Sequence, residues 1–324
     1  MKRLISLLLC ALLIVPALAE DAPDFEPIPW DIKVSPNLPN PDCYLPNNGG
    51  YHDDSIDIQI NVTYWTQDLQ QVDAPGEGTT TVMSARVKLT DVSQFRTGFA
   101  NKYPSKQARH VNDMTKRFNA VMGIDGDYCL YHEQGIVVRN GQTLRMRPHK
   151  GRDELIVDKN GDFHLITCTT QAKWDEYIAG GGTVLHAFCF GPALVVDGVP
   201  LTNLDDVTID NGKAKKAQRM VIGQIGKLEY LILTNEGPES TAPKSVGFDL
   251  VQMANLCVQF GLNNAYNLDG GSSSTIALNN QKINSPSSHK NRMVGDCIWF
   301  ATLVKEETWR EKESVQTVEV EENK

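Results

Sequence analysis

The chain lacks a second long hydrophobic run: beyond residue 19 nothing approaches the roughly twenty apolar residues that a membrane-spanning helix requires. No membrane span is therefore expected in the mature chain. It also lacks any CxxC pair, and its seven histidines are scattered, so a zinc site is not specified. A phosphodiesterase that cuts P–O bonds ordinarily gathers His and Asp around its metal ions, and no such cluster is visible. Blocks of lysine and arginine are missing as well. With 31 basic against 40 acidic residues and a formal net charge of -9, the chain suits no nucleic acid, whose phosphates are gripped by clustered cations. Any phosphate it binds must be met by a few placed groups. Internal repeats are absent too.

What is present begins at the N-terminus. Lys2 and Arg3 precede an apolar run over residues 4–15, and Pro16-Ala17-Leu18-Ala19 supplies the small-x-small pattern that signal peptidase reads before Glu20. Residues 1–19 are read as a signal peptide; an uncleaved anchor would need a longer run. Cys10 sits mid-run after three leucines with no small residue ahead of it, which argues against lipid attachment. The mature protein is thus expected outside the cytoplasm, secreted or in the cell envelope, and the short Lys-Arg leader looks bacterial. Cys43, Cys129, Cys168, Cys189, Cys257 and Cys297 remain. An oxidising compartment permits disulfides, and six cysteines allow fifteen full pairings. Cys168, Cys189, Cys257 and Cys297 lie in apolar runs, however, where cysteine commonly acts as a small buried hydrophobe. Asn61-Val62-Thr63 is a glycosylation sequon with meaning only in a eukaryotic secretory route.

Residues 20–48 are rich in Pro, Asp and Asn without a sustained period, and read as an extended arm. A domain over 49–304 follows, then a charged tail over 305–324 expected to be solvated. Alternation predicts strands at 55–60 and 82–89, a polar helix is expected within 90–110, and a buried strand at 121–125 runs into a glycine turn. Further strands are expected at 135–139, 154–157, 163–167 and 193–196, with turns such as Asn140-Gly141, Asn160-Gly161 and Asp197-Gly198. A pair follows at 217–223 and 227–234. Asp249 can cap a helix over 250–260 whose Leu250, Met253, Ala254, Cys257, Val258 and Phe260 form an apolar face, with Gly261 stopping it. The run over 297–304 is apolar on both alternating sets, as a central strand is. Many strands and few helices imply one α+β domain: a mixed, mostly antiparallel sheet with a few packed helices.

The stretch 264–276 stands apart. Ala265-Tyr266-Asn267-Leu268 leads into Asp269, two glycines, three serines and a threonine. Paired glycines let backbone N–H groups turn toward a ligand, and serine hydroxyls add donors, a nest suited to phosphate or sugar oxygens. Asp269 can face the same cavity or serve as a turn aspartate bonded to nearby amides.

Asn267-Leu268-Asp269-Gly270-Gly271-Ser272-Ser273 resembles the core motif of the phosphodiester glycosidase family. The likeness continues in order over residues 80–304. Val121-Met122-Gly123-Ile124-Asp125-Gly126-Asp127-Tyr128 is similar to the family's strand ending in an Asn-Gly-Gly-Phe-Phe type turn, with Asp125 for the asparagine and Asp127 for a glycine. Gly191-Pro192-Ala193-Leu194 resembles its Gly-Pro-x-Leu strand, Gln218-Arg219-Met220-Val221-Ile222-Gly223 its Pro-Arg-Thr-Ala-Ile-Gly strand, and Arg292-Met293-Val294-Gly295-Asp296 its Arg-x-Val-x-Asn element.

The resemblance implies a hydrolase cleaving a sugar-1-phosphate diester at the anomeric C–O bond, with Asp269 as first catalytic carboxylate and Asp125 as second. Asn267, Gly270, Gly271, Ser272, Ser273 and Asp127 would bind substrate. Arg219, lodged in an apolar strand, should pair with a carboxylate or hold an anion. Arg292, after Ser285-Pro286-Ser287-Ser288-His289-Lys290-Asn291, can close on phosphate, and His289 can supply a proton. The acids at 125 and 127 add negative charge beside an anionic substrate, so an arginine or a divalent ion, Ca²⁺ or Mg²⁺, is expected to compensate. The partner is a glycan or sugar phosphodiester. Two alternatives stand beside this reading: P–O cleavage, and a cell-envelope glycan-binding module without turnover.

Overall fold

The structure, a computed structural model, describes residues 34–204, 215–240, 244–285 and 291–310. The predicted signal peptide, His289 and the tail beyond residue 310 lie outside them. Within them the alternating segments build three sheets. A ten-stranded sheet runs in the order Tyr44–Leu45, Gly50–His52, Ile56–Trp65, Thr80–Leu89, Glu229–Asn235, Arg219–Gly226, Asn264–Asn267, Ala193–Val196 and Val199–Pro200, with Gln71–Val72 beside Ile56–Trp65. The second sheet orders Phe163–Ile166, Glu154–Val157, His186–Phe188, Gly135–Arg139 and Gln142–Arg147. The third orders Gln281–Lys282, Ile276–Leu278, Met122–Asp125, Asp296–Phe300 and Phe95–Phe99. Every pairing among the described strands is antiparallel. The fold is α+β as expected, with its strands shared among three sheets.

Period-two alternation sorts side chains between layers. In Arg219–Gly226, Met220 and Ile222 enter a core common to the three sheets, where they meet Phe95, Ile124, Leu155 and Ile298. Val221, on the opposite face, joins the cluster under a helix. Among the described residues the helices include α1 (Val111–Phe118), α2 (Gln171–Ala179) and α3 (Leu250–Gln259). Asp249 caps α3 as expected, in a reciprocal box with Gln252. Leu250, Met253, Ala254 and Cys257 are buried as expected and Leu256 joins them, whereas Val258 is 38% exposed.

The helix expected within 90–110 does not form. Asp91 and Gln94 do make a capping box, but it closes only a single 3-10 turn over Val92–Gln94. The chain then enters the strand Phe95–Phe99, buried throughout and paired with Asp296–Phe300. Tertiary pairing overrides the local signal here, and the helix starts later, at Val111. Residues 34–48 also differ from an extended arm: Ser35 is buried with its N–H on the Phe118 carbonyl, and Tyr44 and Leu45 pair with Tyr51 and Gly50. Cys129, Cys189, Cys257 and Cys297 are buried thiols.

Two strand glycines explain how α1 lies on the third sheet. A Cβ on Gly98 would stand 2.5 Å from the Phe118 ring, and one on Gly123 would stand 2.6 Å from the Thr115 methyl. Their absence lets the helix sit close over Cys297 and Trp299, with Phe118 stacked on Trp299 at 5.3 Å. Gly98→Ala is therefore expected to destabilise the fold by about 1–3 kcal/mol through overpacking. A lowered denaturant midpoint at unchanged slope checks this; an unchanged midpoint would mean the helix is not seated on that glycine.

Candidate active site

The segment 264–276 crosses between two sheets, and that crossing creates the site. Asn264–Asn267 belongs to the large sheet, with Asn267 opposite Val221, and Ile276–Leu278 belongs to the third. Between them the loop is tied to both: the Leu268 N–H reaches the Met220 carbonyl at 2.8 Å, and the Asp269 N–H reaches the Gly126 carbonyl at 3.3 Å. Arg219 opens the neighbouring large-sheet strand, and Arg292 precedes the third-sheet strand Asp296–Phe300. A cavity of about 330 Å³ opens at this seam. Arg219, Arg292, Asn267, Asp269, Gly270, Gly271 and Ser272 all line it.

Asp269 is 9% exposed. Burial raises its carboxyl above the usual range, while the Ser273 hydroxyl, the Arg292 charge and the Gly270 N–H pull it back. One carboxylate oxygen accepts the Gly270 N–H at 2.9 Å, so the turn-aspartate reading and the cavity-facing reading both hold. Arg219 is buried, and burial lowers its guanidinium to about 10, still protonated at neutral pH. It donates to the Phe248 and Lys215 carbonyls at 3.4 and 2.6 Å, and no carboxylate pairs with it among the described residues. A cation so placed invites an anion. Asn267 donates to the Gly191 carbonyl at 2.9 Å, and its buried side-chain oxygen has no partner, which leaves an acceptor for a hydroxyl.

The glycines do not form the expected nest. Gly270 gives its N–H to Asp269 and Gly271 gives its own to the Gln218 carbonyl at 3.0 Å. Their role is steric: a Cβ on Gly270 would stand 2.9 Å from the Gln218 carbonyl oxygen, and Gly271 takes a φ of 63°. The loop can thus close against the Arg219 strand. Ser273 is buried behind it. Gln218 lines the cavity from within its motif, and Lys215, Lys216, Phe190 and Glu239 line it as well; these four were not anticipated, because they flank recognisable elements without periodic or motif signals.

Asp125 and Asp127 lie beside the loop, fully buried and outside the cavity lining. Asp125 accepts the Thr275 N–H at 2.8 Å, and its second oxygen has no partner. Burial, with the Asp269 charge adding to it, pushes this carboxyl well up, which favours its neutral form. Asp127 is used differently. It accepts from Arg139 at 2.8 Å and from the Cys129 and Cys189 N–H groups at 3.2 and 2.9 Å. Burial opposes its ionisation, yet Arg139 and those amides prevail and hold it at about 2. Arg139 also reaches Asp296 at 3.2 Å, and burial with the Asp127 charge lifts Asp296 to about 7. Asp127, Cys129 and Asp296 place ligand atoms within 4.8 Å of one another, a cation-like grouping, but the Arg139 guanidinium already stands among them. Of the two expected compensators, arginine or divalent ion, this position has the arginine.

Arg139→Met would leave Asp127 charged and unpaired in a closed interior, at an expected cost of about 3–5 kcal/mol. Adding Asp127→Asn should recover part of that loss in the denaturation midpoint. An Arg139→Met protein as stable as the wild type would remove the ion cluster from the account of this fold.

The comparisons with known proteins follow the same seam. No curated protein matches the sequence. In structure, the chain is similar to the zebrafish N-acetylglucosamine-1-phosphodiester alpha-N-acetylglucosaminidase catalytic domain auto-inhibited by pro-peptide, with a TM-score of 0.60 and 14% identity over 78% of this chain and 86% of that one. A hypothetical protein from Synechocystis is similar with a TM-score of 0.50 and 14% identity, over 76% of this chain and 62% of that one. At such identities the likeness is one of fold. The profile of the phosphodiester glycosidase family matches residues 118–301, from the end of α1 past the last third-sheet strand. The chain belongs to the phosphodiester glycosidase family.

Proposed function

We propose that this protein is an exported hydrolase that cleaves a glycosyl phosphodiester at the anomeric C–O bond, in cell-envelope or extracellular glycan processing. The observation that carries the reading is the buried Arg219 guanidinium, without a carboxylate partner among the described residues, in one cavity with the Asp269 carboxyl. Lys215, Lys216 and Arg292 line the same space, so cations outnumber the acids Asp269 and Glu239 there although the chain is acidic overall. Such a site favours an anionic substrate.

The chemistry follows from the leaving group. A phosphate monoester departs readily from an anomeric carbon once its charge is met, so arginine donors serve better than a strong acid. Arg219 and Arg292 take that part, and Asn267 offers its free acceptor to a sugar hydroxyl. Asp269, ionised, directs water to the anomeric carbon and stabilises the positive charge that develops there. Its carboxyl, raised by burial, is a stronger base than an ordinary aspartate. Asp125 acts from behind, holding the Thr275 amide and hence the loop. Family membership supports the reaction class, and the name of the zebrafish relative points to a sugar-1-phosphodiester. The leader over residues 1–19 supports export.

Asp269→Asn should lower kcat on a sugar-1-phosphate diester by roughly 10²-fold or more while the protein stays folded. In isotope-labelled water the wild type should place the label in the sugar; label in the phosphate would mean P–O cleavage, and tight binding with no turnover would mean a glycan-binding protein.

The pH profile gives an independent check. Activity needs ionised Asp269, so the acid limb of kcat/KM should lie above the ordinary aspartate value of about 3.9. Arg292 holds that carboxyl down, so Arg292→Gln should move the limb to higher pH whatever it does to substrate binding. A limb that stays in place would separate Asp269 from the titrating step.

A further inference from the structure

A second cavity, of about 520 Å³, lies between the 128–135 turn and the strand Gln142–Arg147. It too gathers cations: Lys106, Arg145 and Arg147 face a lone acid, Glu133. Lys106 and Arg147 are exposed and in no ion pair among the described residues. Arg145 spends its donors on main-chain carbonyls, at 3.1 Å to Gly135, 2.8 Å to Cys129 and 2.8 Å to Gln134, with His132 as a further partner. Those bonds fasten the turn to the strand, so the wall is built and its positive charge fixed. Tyr103 and Tyr131 add aromatic surface.

The two cavities share a partition. Tyr128 is held at φ 59°, a left-handed conformation that a bulky residue adopts only where its surroundings fix it. Its ring stands under the Arg292 guanidinium at 5.7 Å and stacks on Tyr131 at 4.5 Å. Arg292 lines the first cavity and Tyr131 the second. On a chain of net charge -9, two adjoining cation-lined cavities separated by stacked rings match a ligand with successive anionic groups and sugar faces between them. A small diester fills one cavity and leaves the second unused.

We infer that the second cavity binds a further phosphate-linked sugar unit of the same substrate molecule, so the substrate is a repeating sugar–phosphate chain. This rests on the reading of the first cavity as a glycosyl phosphodiester site. Lys106 and Arg147 meet the additional phosphate, and Tyr131 carries a sugar face. Attraction of this kind between partly exposed charges weakens with salt.

The test compares the wild type with Lys106→Glu/Arg147→Glu on two substrates: a sugar-1-phosphate methyl diester, and an oligomer of several phosphate-linked sugars. The ratio of kcat/KM for oligomer over methyl diester should fall about tenfold in the variant, whereas general damage to the fold lowers both alike and leaves the ratio unmoved. Calorimetric binding of the oligomer, at low and high salt, should show the same loss and its shrinkage with salt. An unmoved ratio or unchanged oligomer affinity overturns the inference. If neither substrate is turned over, the proposed reaction fails while calorimetry still decides the second cavity: a roughly tenfold loss of affinity supports it and equal affinity sinks it.

Discussion

Arg139 projects from a second-sheet strand and donates to Asp127, just past Met122–Asp125, and to Asp296, which opens Asp296–Phe300. It also donates to the Val138 and Ala187 carbonyls of its own sheet. Apolar packing can press two sheets together, but it is non-directional and cannot fix their register to the accuracy a site needs. A guanidinium with a fixed fork of donors can. The position of Gly126 shows how tightly this is set: a Cβ there would fall 2.3 Å from an Asp296 carboxylate oxygen. The same Gly126 offers its carbonyl to the Asp269 N–H, so the Asp269 loop hangs one bond away from the buried ion cluster. Displacing Arg139 would therefore reach Asp269 through the main chain.

This arrangement also accounts for the two acids that depart from the family pattern. Written in sequence, Asp125 and Asp127 look like extra charge beside an anion-binding loop. In the fold burial favours the neutral form of Asp125, Arg139 compensates Asp127, and neither carboxyl lines the cavity. A buried pair of this kind contributes little net stability against an apolar replacement, yet breaking it is costly. Its value here is geometric.

How far the sequence disclosed this depends on the kind of signal. Short runs ended by turn residues marked the strands at Gly135–Arg139, Glu154–Val157 and Ala193–Val196 to the residue, and all three are buried almost throughout. The box at Asp249 likewise marked α3 from local chemistry alone. The segment 90–110 misled for the opposite reason: Asp91 and Gln94 encode a helix start, but Phe95–Phe99 is decided by a partner strand two hundred residues on, Asp296–Phe300. Among site residues, Asp269, Arg219, Arg292 and Asn267 were legible through a motif or an incongruous charge. Lys215 and Lys216 were not, since a lysine pair in a loop looks solvated until the fold bends it over a cavity. The double glycine was legible as special and misread in purpose: it admits a close approach to Gln218 where an open nest was expected.

For the phosphodiester substrate proposed above, an acidic protein must set a local field against its global one. At physiological ionic strength charges separated by more than about 8 Å are largely screened, so the net charge of the surface matters less than the few groups inside the seam. Arg219 illustrates the solution. Burial lowers its guanidinium only to about 10, which leaves it charged, and its bonds to main-chain carbonyls orient it without cancelling that charge. A surface lysine would be screened and mobile; a guanidinium paired with carboxylate would be spent. The strand that carries Arg219 can hold such a cation only because its other members, Met220, Val221 and Ile222, are packed on both faces and absorb the cost of burying it.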